Sequence, residues 1–462
     1  MNTPSDTIAA ISTPPGEGGI SIVRLSGPEA IRIADSVFRP ARHDKSPSRL
    51  KSHSITYGHI IDPESKGVID EVLLTVMRAP YTYTREDIVE INCHGGAVVT
   101  AKILELLLRQ GARLAEPGEF TKRAFLNGRI DLSQAEAVID LIRAKTDLSL
   151  KAATNMLMGG LSQKIQRLRD SIAQILAEVE ASIDFPEEDL DFMPPDEMMG
   201  RLNEVAGEIK RLIETAEEGR ILREGVRAVI AGKPNVGKSS LLNRLLSEER
   251  AIVTDIPGTT RDSIEEYINI GGIPVRIIDT AGIRLTTDPV ELEGVKRSRR
   301  MIETADLVLA MFDSSQELTE EDFELLRLIS DRTALILLNK IDLPSRISSE
   351  DLARLTDRRI VRISALKEIG MDELKAEIVK LITGGKVIPS DISVTINLRH
   401  RDALRRALES LSYAMDSIGR GEPPELVAVD LRGALNRLGE IVGAVTSEDI
   451  LERIFSQFCI GK

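Results

Sequence analysis

The chain has 462 residues, 42% hydrophobic and 29% charged, a composition that fits a soluble globular protein of roughly two to four domains. Its formal net charge of -13 excludes a global basic field, so a nucleic-acid partner would have to be met by a local cationic patch. With two distant cysteines, Cys93 and Cys459, and five scattered histidines, nothing resembles a structural zinc cluster and no disulfide framework is expected. The amino-terminal stretch has no basic start and apolar core, and no run approaches the ~20 apolar residues of a membrane helix. A cytoplasmic protein with no membrane partner is expected.

Residues 1–120 alternate short β-like runs with turn signals, at Gly19 to Leu25, Val72 to Val76 and Asp87 to Asn92. Gly95-Gly96 follows, then a helical run from about Ala97 to Arg109, so an α+β domain is expected here. Cys93 precedes His94, but neighbours on a strand point to opposite faces, which speaks against a catalytic pair.

After Pro117-Gly118 the texture changes, and from Leu132 to about Ile183 the chain reads as helix with a break at Gly159-Gly160. Leu161, Ile165, Leu168, Ile172, Ile175, Val179 and Ile183 recur every three or four residues, an apolar stripe suited to bundle packing. A second helical stretch runs from about Asp196 to Arg220. Beyond Gly384-Gly385, helices are expected at about Leu398–Ser417, Pro424–Val442 and Ser447–Phe458. The economical reading is one discontinuous helical domain, residues 121–220 and 384–462, into which residues 221–383 are inserted with their ends close together. Two separate helical domains are the alternative.

The insert carries the phosphate chemistry. Val226 to Ala231 reads as a buried strand running into Gly232-Lys233-Pro234-Asn235-Val236-Gly237-Lys238-Ser239, which matches G-x-x-x-x-G-K-[ST]. Glycines let backbone N–H groups close around phosphates, and the helix that starts at Ser239-Ser240 presents its positive end to them. Lys238 is expected to reach the β- and γ-phosphates and Ser239 to ligate Mg²⁺. The loop Thr254-Asp255-Ile256-Pro257-Gly258-Thr259-Thr260 is a candidate switch whose Thr260 hydroxyl completes the Mg²⁺ shell. A strand at Val275 to Ile278 ends in Asp279-Thr280-Ala281-Gly282, where Asp279 would hold Mg²⁺ through water and Gly282 would offer its N–H to the γ-phosphate.

Asn339-Lys340-Ile341-Asp342 follows another strand, and the Asp342 carboxylate can accept from guanine N1 and N2. Adenine lacks that donor pair, so GTP is preferred. Ser364-Ala365 fits a short loop contacting guanine O6. Each motif alone is weak; in this order, on these strand–loop junctions, they specify a Ras-like GTPase. Ile283 occupies the region where Ras-like enzymes carry a water-placing glutamine, so another group must orient the attacking water. Asp288, Glu291 and Glu293 are the local candidates.

Asn235 and the Thr254–Asp262 switch resemble the RNA-associated GTPases that include ribosome-assembly enzymes. The likeness narrows with Gly118 to Gly128 (GEFTKRAFLNG), Ile183 to Glu188 (IDFPEE) and Phe458 to Lys462 (FCIGK). Together these resemble the tRNA-modification GTPases of the MnmE (TrmE) family, of the TrmE-Era-EngA-like GTPases, over essentially the whole chain. The resemblance implies a homodimer whose amino-terminal domain binds a tetrahydrofolate one-carbon carrier, 5,10-methylene- or 5-formyl-tetrahydrofolate. It implies a heterotetramer with the flavoprotein MnmG, installing a carboxymethylaminomethyl group at C5 of the wobble uridine of certain tRNAs. The folate contacts it implies fall on Arg24, Glu90, Arg129 and Lys462; arginine stands at the third where the family commonly has lysine, keeping the charge and changing the donor geometry.

The same resemblance implies K⁺ activation between GTPase domains dimerised by nucleotide, with ligands at Asn235, Thr254, Ile256 and Thr259, and it selects Glu291 as the water-orienting acid. Cys459 is left with two readings, a nucleophile or carbon-unit carrier, and a packing residue beside the folate site. A ribosome-assembly GTPase gating RNA binding is the alternative function, and a slowly turning dimerisation protein a third. The former predicts a dedicated basic domain after the GTPase fold, yet only Arg399 to Arg406 is notably basic there, a run that usually marks a solvated helix face. GTP hydrolysis is expected to be much faster in KCl than in NaCl at equal ionic strength; equal rates in the two salts would remove the K⁺ assignment.

Overall fold

The computed structural model describes residues 6–42, 46–185, 193–249, 266–278, 299–385 and 394–462. Near the amino terminus the expected strands pair into a seven-stranded sheet. In chain order these are β1 (Ile8–Ile11), β2 (Gly18–Ser26), β3 (Phe38–Pro40), β4 (Ser54–Ile61), β5 (Val68–Met77), β6 (Ile88–Gly95) and β7 (Arg113–Leu114), arranged β3-β4-β5-β6-β2-β1-β7. The period-two pattern decides which face is buried. Val72, Leu74 and Val76 of β5 and Val89, Ile91 and Cys93 of β6 point to one side, under α1 (Ala30–Val37) and α2 (Ala97–Arg109). The other side carries exposed Ile20, Ile55, Tyr57 and Leu73, together with Arg24 and Glu90, which stand opposite each other in the β2–β6 ladder.

A turn at Gly118 (φ 68°) enters α3 (Glu119–Leu126); a Cβ there would lie 2.7 Å from the Phe455 carbonyl oxygen. The α3 residue Arg123 is fully buried and donates to Asp6 (2.7 Å), Glu119 (2.9 Å) and Glu86 (3.1 Å). Those three carboxylates compensate the desolvation of the guanidinium.

The long helical stretch after Leu132 divides twice, into α4 (Leu132–Arg143), α5 (Asp147–Leu157) and α6 (Gly160–Asp184). The break at Gly159 (φ 88°) is the expected one. The break before α5 has no glycine or proline to mark it: the buried Thr146 side chain caps the new helix by accepting from the Ser149 N–H at 3.2 Å. The next stretch likewise divides at Thr215, into α7 (Pro195–Glu214) and α8 (Ala216–Glu224).

The inserted fold has a six-stranded sheet of β8 (Val226–Ala231), β9 (Glu266–Ile270), β10 (Ile273–Ile278), β11 (Leu307–Asp313), β12 (Ala334–Asn339) and β13 (Ile360–Arg362), in the order β13-β12-β11-β8-β10-β9. All neighbours are parallel except β9 against β10. Both faces are covered, which is why β11 and β12 read as unbroken apolar runs rather than alternating ones. The helices α9 (Lys238–Glu249), α10 (Glu320–Leu328), α11 (Ser349–Ala353) and α12 (Met371–Ile382) complete the α/β layers.

Three helices follow: α13 (Leu398–Arg420), α14 (Pro424–Val442) and α15 (Glu448–Phe455). Ile165, Ile172 and Ile175 of α6 share one buried cluster with Leu404 and Leu411 of α13 and Leu431 and Leu438 of α14. Helices from before and after the α/β fold therefore make a single core. The last helix stops at Phe455, three residues short of the expected end, because Ser456 onward turns toward the amino-terminal sheet. No described helix is long and apolar enough to cross a membrane. Ile172→Ala, at the centre of the shared core, is expected to cost about 2–5 kcal/mol. Chemical denaturation followed by helical circular dichroism measures it, and a loss below about 1 kcal/mol would show that the two flanks do not depend on each other.

Candidate functional site

At the carboxyl end of β8 the phosphate loop bends through Asn235 (φ 61°) and Gly237 (φ 107°). Asparagine is one of the few residues that tolerate the left-handed region. Gly237 is required for a second reason: an added Cβ would lie 2.3 Å from Asn339 Nδ2. That same Nδ2 donates to the Val236 carbonyl at 2.7 Å, while Asn339 Oδ1 accepts from the Ala365 N–H at 3.0 Å. One buried asparagine thus ties the phosphate loop, the end of β12 and the Ser364-Ala365 loop together. Lys238 Nζ donates to the carbonyls of Gly232 (2.7 Å) and Lys233 (2.9 Å), lying across the loop it closes. Ser239 and Ser240 are exposed in the first turn of α9.

The segment from Asn339 to Asp342 is held by a similar set of contacts. Lys340 (φ 63°) donates from Nζ to Asp313 Oδ2 at 2.6 Å. Burial works against charge on Asp313, yet Lys340 and Ser315 hold its carboxyl below the usual range. Asp342 is exposed, and one carboxylate oxygen accepts from the buried Ser364 hydroxyl at 2.6 Å, so the carboxylate is held at the surface with no hydrogen bond to its other oxygen among the described residues. Thr254, Asp255, Ile256, Pro257, Gly258, Thr259, Thr260, Asp279, Thr280, Ala281, Gly282 and Glu291 lie outside the described residues, as do Asp288 and Glu293.

A second cluster forms where the two ends of the chain meet. Pro117 and Ile460 form an isolated β-bridge, and the Phe120 N–H donates to the Lys462 carbonyl at 3.2 Å. Gly461 (φ 95°) packs so closely that a Cβ would lie 2.3 Å from the Ile11 carbonyl oxygen. This docking brings Lys462 beside Arg24 and Glu90, and both burial and the Arg24 charge push its ammonium pKa down. Arg24 donates to Glu90 at 2.7–2.8 Å and lies 5.6 Å from the centre of the Phe120 ring and 5.9 Å from that of Tyr83. Arg129 covers the Tyr83 ring at 4.6 Å. Three cations and one carboxylate thus gather beside the partly exposed Tyr83 ring, with the buried Phe120 ring behind Arg24, an arrangement suited to a flat ligand that carries negative charge. Cys459 is exposed at the edge of this cluster.

Tyr83 and Phe120 carry no signal in the sequence that would place them in a site, since nothing in their local spacing distinguishes them from core aromatics. Cys93 is buried, its thiol pushed up to about 11 by burial and by Asp70. His94 faces outward and pairs with Asp70 at 2.7 Å, so the two do not act together. The basic run at Arg399 departs from a solvated face. Arg399 and the buried His400 both turn inward to Glu136, each at 2.7 Å. Burial opposes the Glu136 charge, but His400 and Arg399 outweigh it and hold the carboxyl far below its ordinary range.

Two family models match the chain. One, described as the GTP-binding protein TrmE N-terminus, covers residues 7–129, and one described as the MnmE helical domain covers residues 132–459. The chain is 52% identical to the tRNA modification GTPase MnmE of Thermoanaerobacter pseudethanolicus, over 99% of each chain. It is 53% identical to that of Geobacillus kaustophilus, over 100% of each. Among solved structures, Aquifex aeolicus Era bound to GDP and aluminium fluoride is 29% identical over 40% of this chain and 66% of its own, with a TM-score of 0.27. Asp342→Asn is expected to shift nucleotide preference from GTP toward xanthosine triphosphate by a factor of ten or more, as removal of a bidentate hydrogen-bond pair worth ~1.5–3 kcal/mol requires. Competition binding measures the shift, and unchanged GTP preference would remove the base-reading role.

Proposed function

The chain belongs to the MnmE family of tRNA modification GTPases, and from that premise we propose that its GTP hydrolysis drives a folate-dependent modification of the wobble uridine of certain tRNAs. In this reading residues 1–120 form the carrier-binding and dimerisation domain, residues 121–220 and 384–462 the helical domain, and residues 221–383 the GTPase domain. The observation that carries the reading is the gathering of Arg24 and Arg129 over Tyr83, with Glu90 and Lys462 beside Arg24. These side chains fit a pterin with an acidic tail: the partly exposed Tyr83 ring offers stacking surface, and the cations offer partners for carboxylates. Glu90 holds Arg24 in position, and Lys462, already depressed in pKa by burial, gains from any carboxylate placed beside it. A tetrahydrofolate derivative held there would supply the one-carbon unit for C5 of the uridine.

At the other site Lys238 would exchange its hydrogen bonds to the Gly232 and Lys233 carbonyls for the β- and γ-phosphates of GTP. The exposed Ser239 hydroxyl suits a hard cation, and Asn235 suits a second one; with Thr254, Ile256, Thr259 and Thr260 they form the Mg²⁺ and K⁺ ligand sets of the proposal. Bound cations would supply positive charge where it develops on the transferred phosphoryl group. Glu291 would orient the attacking water, a task Ile283 cannot perform. Cys459 sits at the edge of the carrier cluster, where it would meet the uridine or serve as packing. A second copy of this chain suits the exposed sheet face with Ile20, Ile55, Tyr57 and Leu73, which is the face that carries Arg24 and Glu90. The flavoprotein MnmG completes the proposed heterotetramer.

Mass spectrometry of tRNA nucleosides from a strain lacking the gene tests the reading. Carboxymethylaminomethyl-type uridines are expected to disappear, to return with the intact gene and to stay absent with Arg24→Ala and Lys462→Ala together. Unchanged wobble uridines in the deletion strain would overturn the modification role.

A further inference from the structure

An acidic chain that acts on tRNA needs a place where cations are concentrated, because phosphate contacts dominate RNA affinity. Among the described residues, one cavity of about 600 Å³ opens between α4, α5, the end of α8, the start of α13 and α15. Five arginines line it: Arg143, Arg223, Arg399, Arg406 and Arg453. Two of these are engaged internally, Arg399 with Glu136 and Arg406 with Asp402, each at 2.6–2.7 Å. The other three make no hydrogen bond to a carboxylate among the described residues. Arg143 donates only to the Gln457 carbonyl, at 2.8 Å, and is exposed. Arg453 is exposed, and its guanidinium meets no carboxylate among the described residues. Arg223 lies 4.0 Å from Asp140, too far for a hydrogen bond, and donates to the Ile396 carbonyl at 3.2 Å.

Four carboxylates also line the cavity, Glu136, Asp140, Glu224 and Asp402; Glu136 is paired with Arg399 and Asp402 with Arg406, which leaves Asp140 and Glu224 against the remaining three arginines. Burial pushes Asp140 up to about 6, closer to neutral than an ordinary carboxyl, and a phosphate placed beside it would push it further toward its neutral form. The cavity wall also includes Gln457 and Phe458, the two residues before Cys459. Extended chain covers at most ~3.6 Å per residue, so the cavity rim and Cys459 are within about 7 Å of each other along the backbone. A nucleotide turned out of its stack toward the carrier cluster would bring its flanking phosphate to that rim.

We infer that this cavity is a binding site for backbone phosphate of the tRNA substrate, held by Arg143 and Arg453 at its mouth and Arg223 within. The inference rests on the tRNA reading given above and goes beyond it by assigning where the RNA backbone is held. Phosphate from any other source shares this chemistry, and so does an acidic segment of a protein partner.

The test is binding of an unmodified tRNA transcript to the full-length chain by fluorescence anisotropy across a salt series. Arg143→Ala with Arg453→Ala is expected to weaken binding about tenfold or more and to reduce the salt slope by about two, one for each arginine withdrawn from a phosphate. Arg143→Lys with Arg453→Lys retains the charge and is expected to recover most of the affinity, which separates the missing cations from a misfolded chain. Removing two arginines elsewhere, Arg354→Ala with Arg362→Ala, is expected to leave tRNA affinity within about twofold. Unchanged affinity and slope in the first pair, or equal losses in the two alanine pairs, would overturn the cavity assignment alone. No binding of tRNA by the unaltered chain would overturn both it and the reading beneath it. Weakening of inorganic phosphate binding by the first pair, with tRNA affinity intact, would assign the cavity to free phosphate and overturn the RNA assignment. Loss of MnmG capture by the first pair, with tRNA affinity intact, would assign it to a protein partner and do the same.

Discussion

The rest of this structure depends on the return of the last residues to the first strand. Gly461 reaches the Ile11 carbonyl, Ile460 bridges to Pro117, and the Phe120 N–H donates to the Lys462 carbonyl. A chain whose ends meet in this way must fold everything between them into loops that leave and come back. The helices on either side of the α/β fold do so by sharing one core, in which Ile172 and Leu411 belong to the same cluster although 239 residues separate them. The nucleotide-binding fold can then hang from that scaffold by two connections without a core of its own being broken.

Closure of the ends also explains why chemistry gathers there. Arg123 is wholly buried at this junction with Asp6, Glu86 and Glu119 around it. A compensated buried cation is expensive to disturb, because removal of one partner leaves an unpaired charge. It fixes α3, and with it Phe120, against β1. Arg24 and Arg129 then lie over rings whose positions are set, and Lys462 sits close enough to Arg24 to feel its charge, with Glu90 as the carboxylate paired to Arg24. The nucleotide site is organised by a different device, a single buried asparagine that joins three loops through both ends of its side-chain amide. The distance between the Val236 turn and the Ser364-Ala365 loop is set by Asn339.

Much of this is legible from local pattern. The apolar stripe of α6, the alternation of β5 and β6, the helix from Ala97 and the strand–loop–helix around Lys238 all follow from period and breaker residues, whose effects act within a few residues. The breaks at Thr146 and Thr215 are not legible, since threonine is an acceptable helix residue; at Thr146 the hydroxyl caps the Ser149 N–H, whereas at Thr215 it donates back to the Leu212 carbonyl. The run at Arg399 points to a solvated face, and no local feature could place Glu136, 263 residues earlier, where it draws Arg399 inward.

Spacing along the chain alone decided that the insert binds a guanine nucleotide: Gly237, Lys238, Asn339 and Asp342 sit at fixed offsets from strand ends, and backbone geometry converts those offsets into positions. Tertiary structure alone decided what surrounds Arg24 and Lys462, and that Arg143, Arg223 and Arg453 open into one cavity. The physical reason is the range of the forces involved. Hydrogen-bonded turns and helix periods are written over a few residues, whereas the pairing of buried charges and rings depends on which distant segments the shared core and the closed ends bring together.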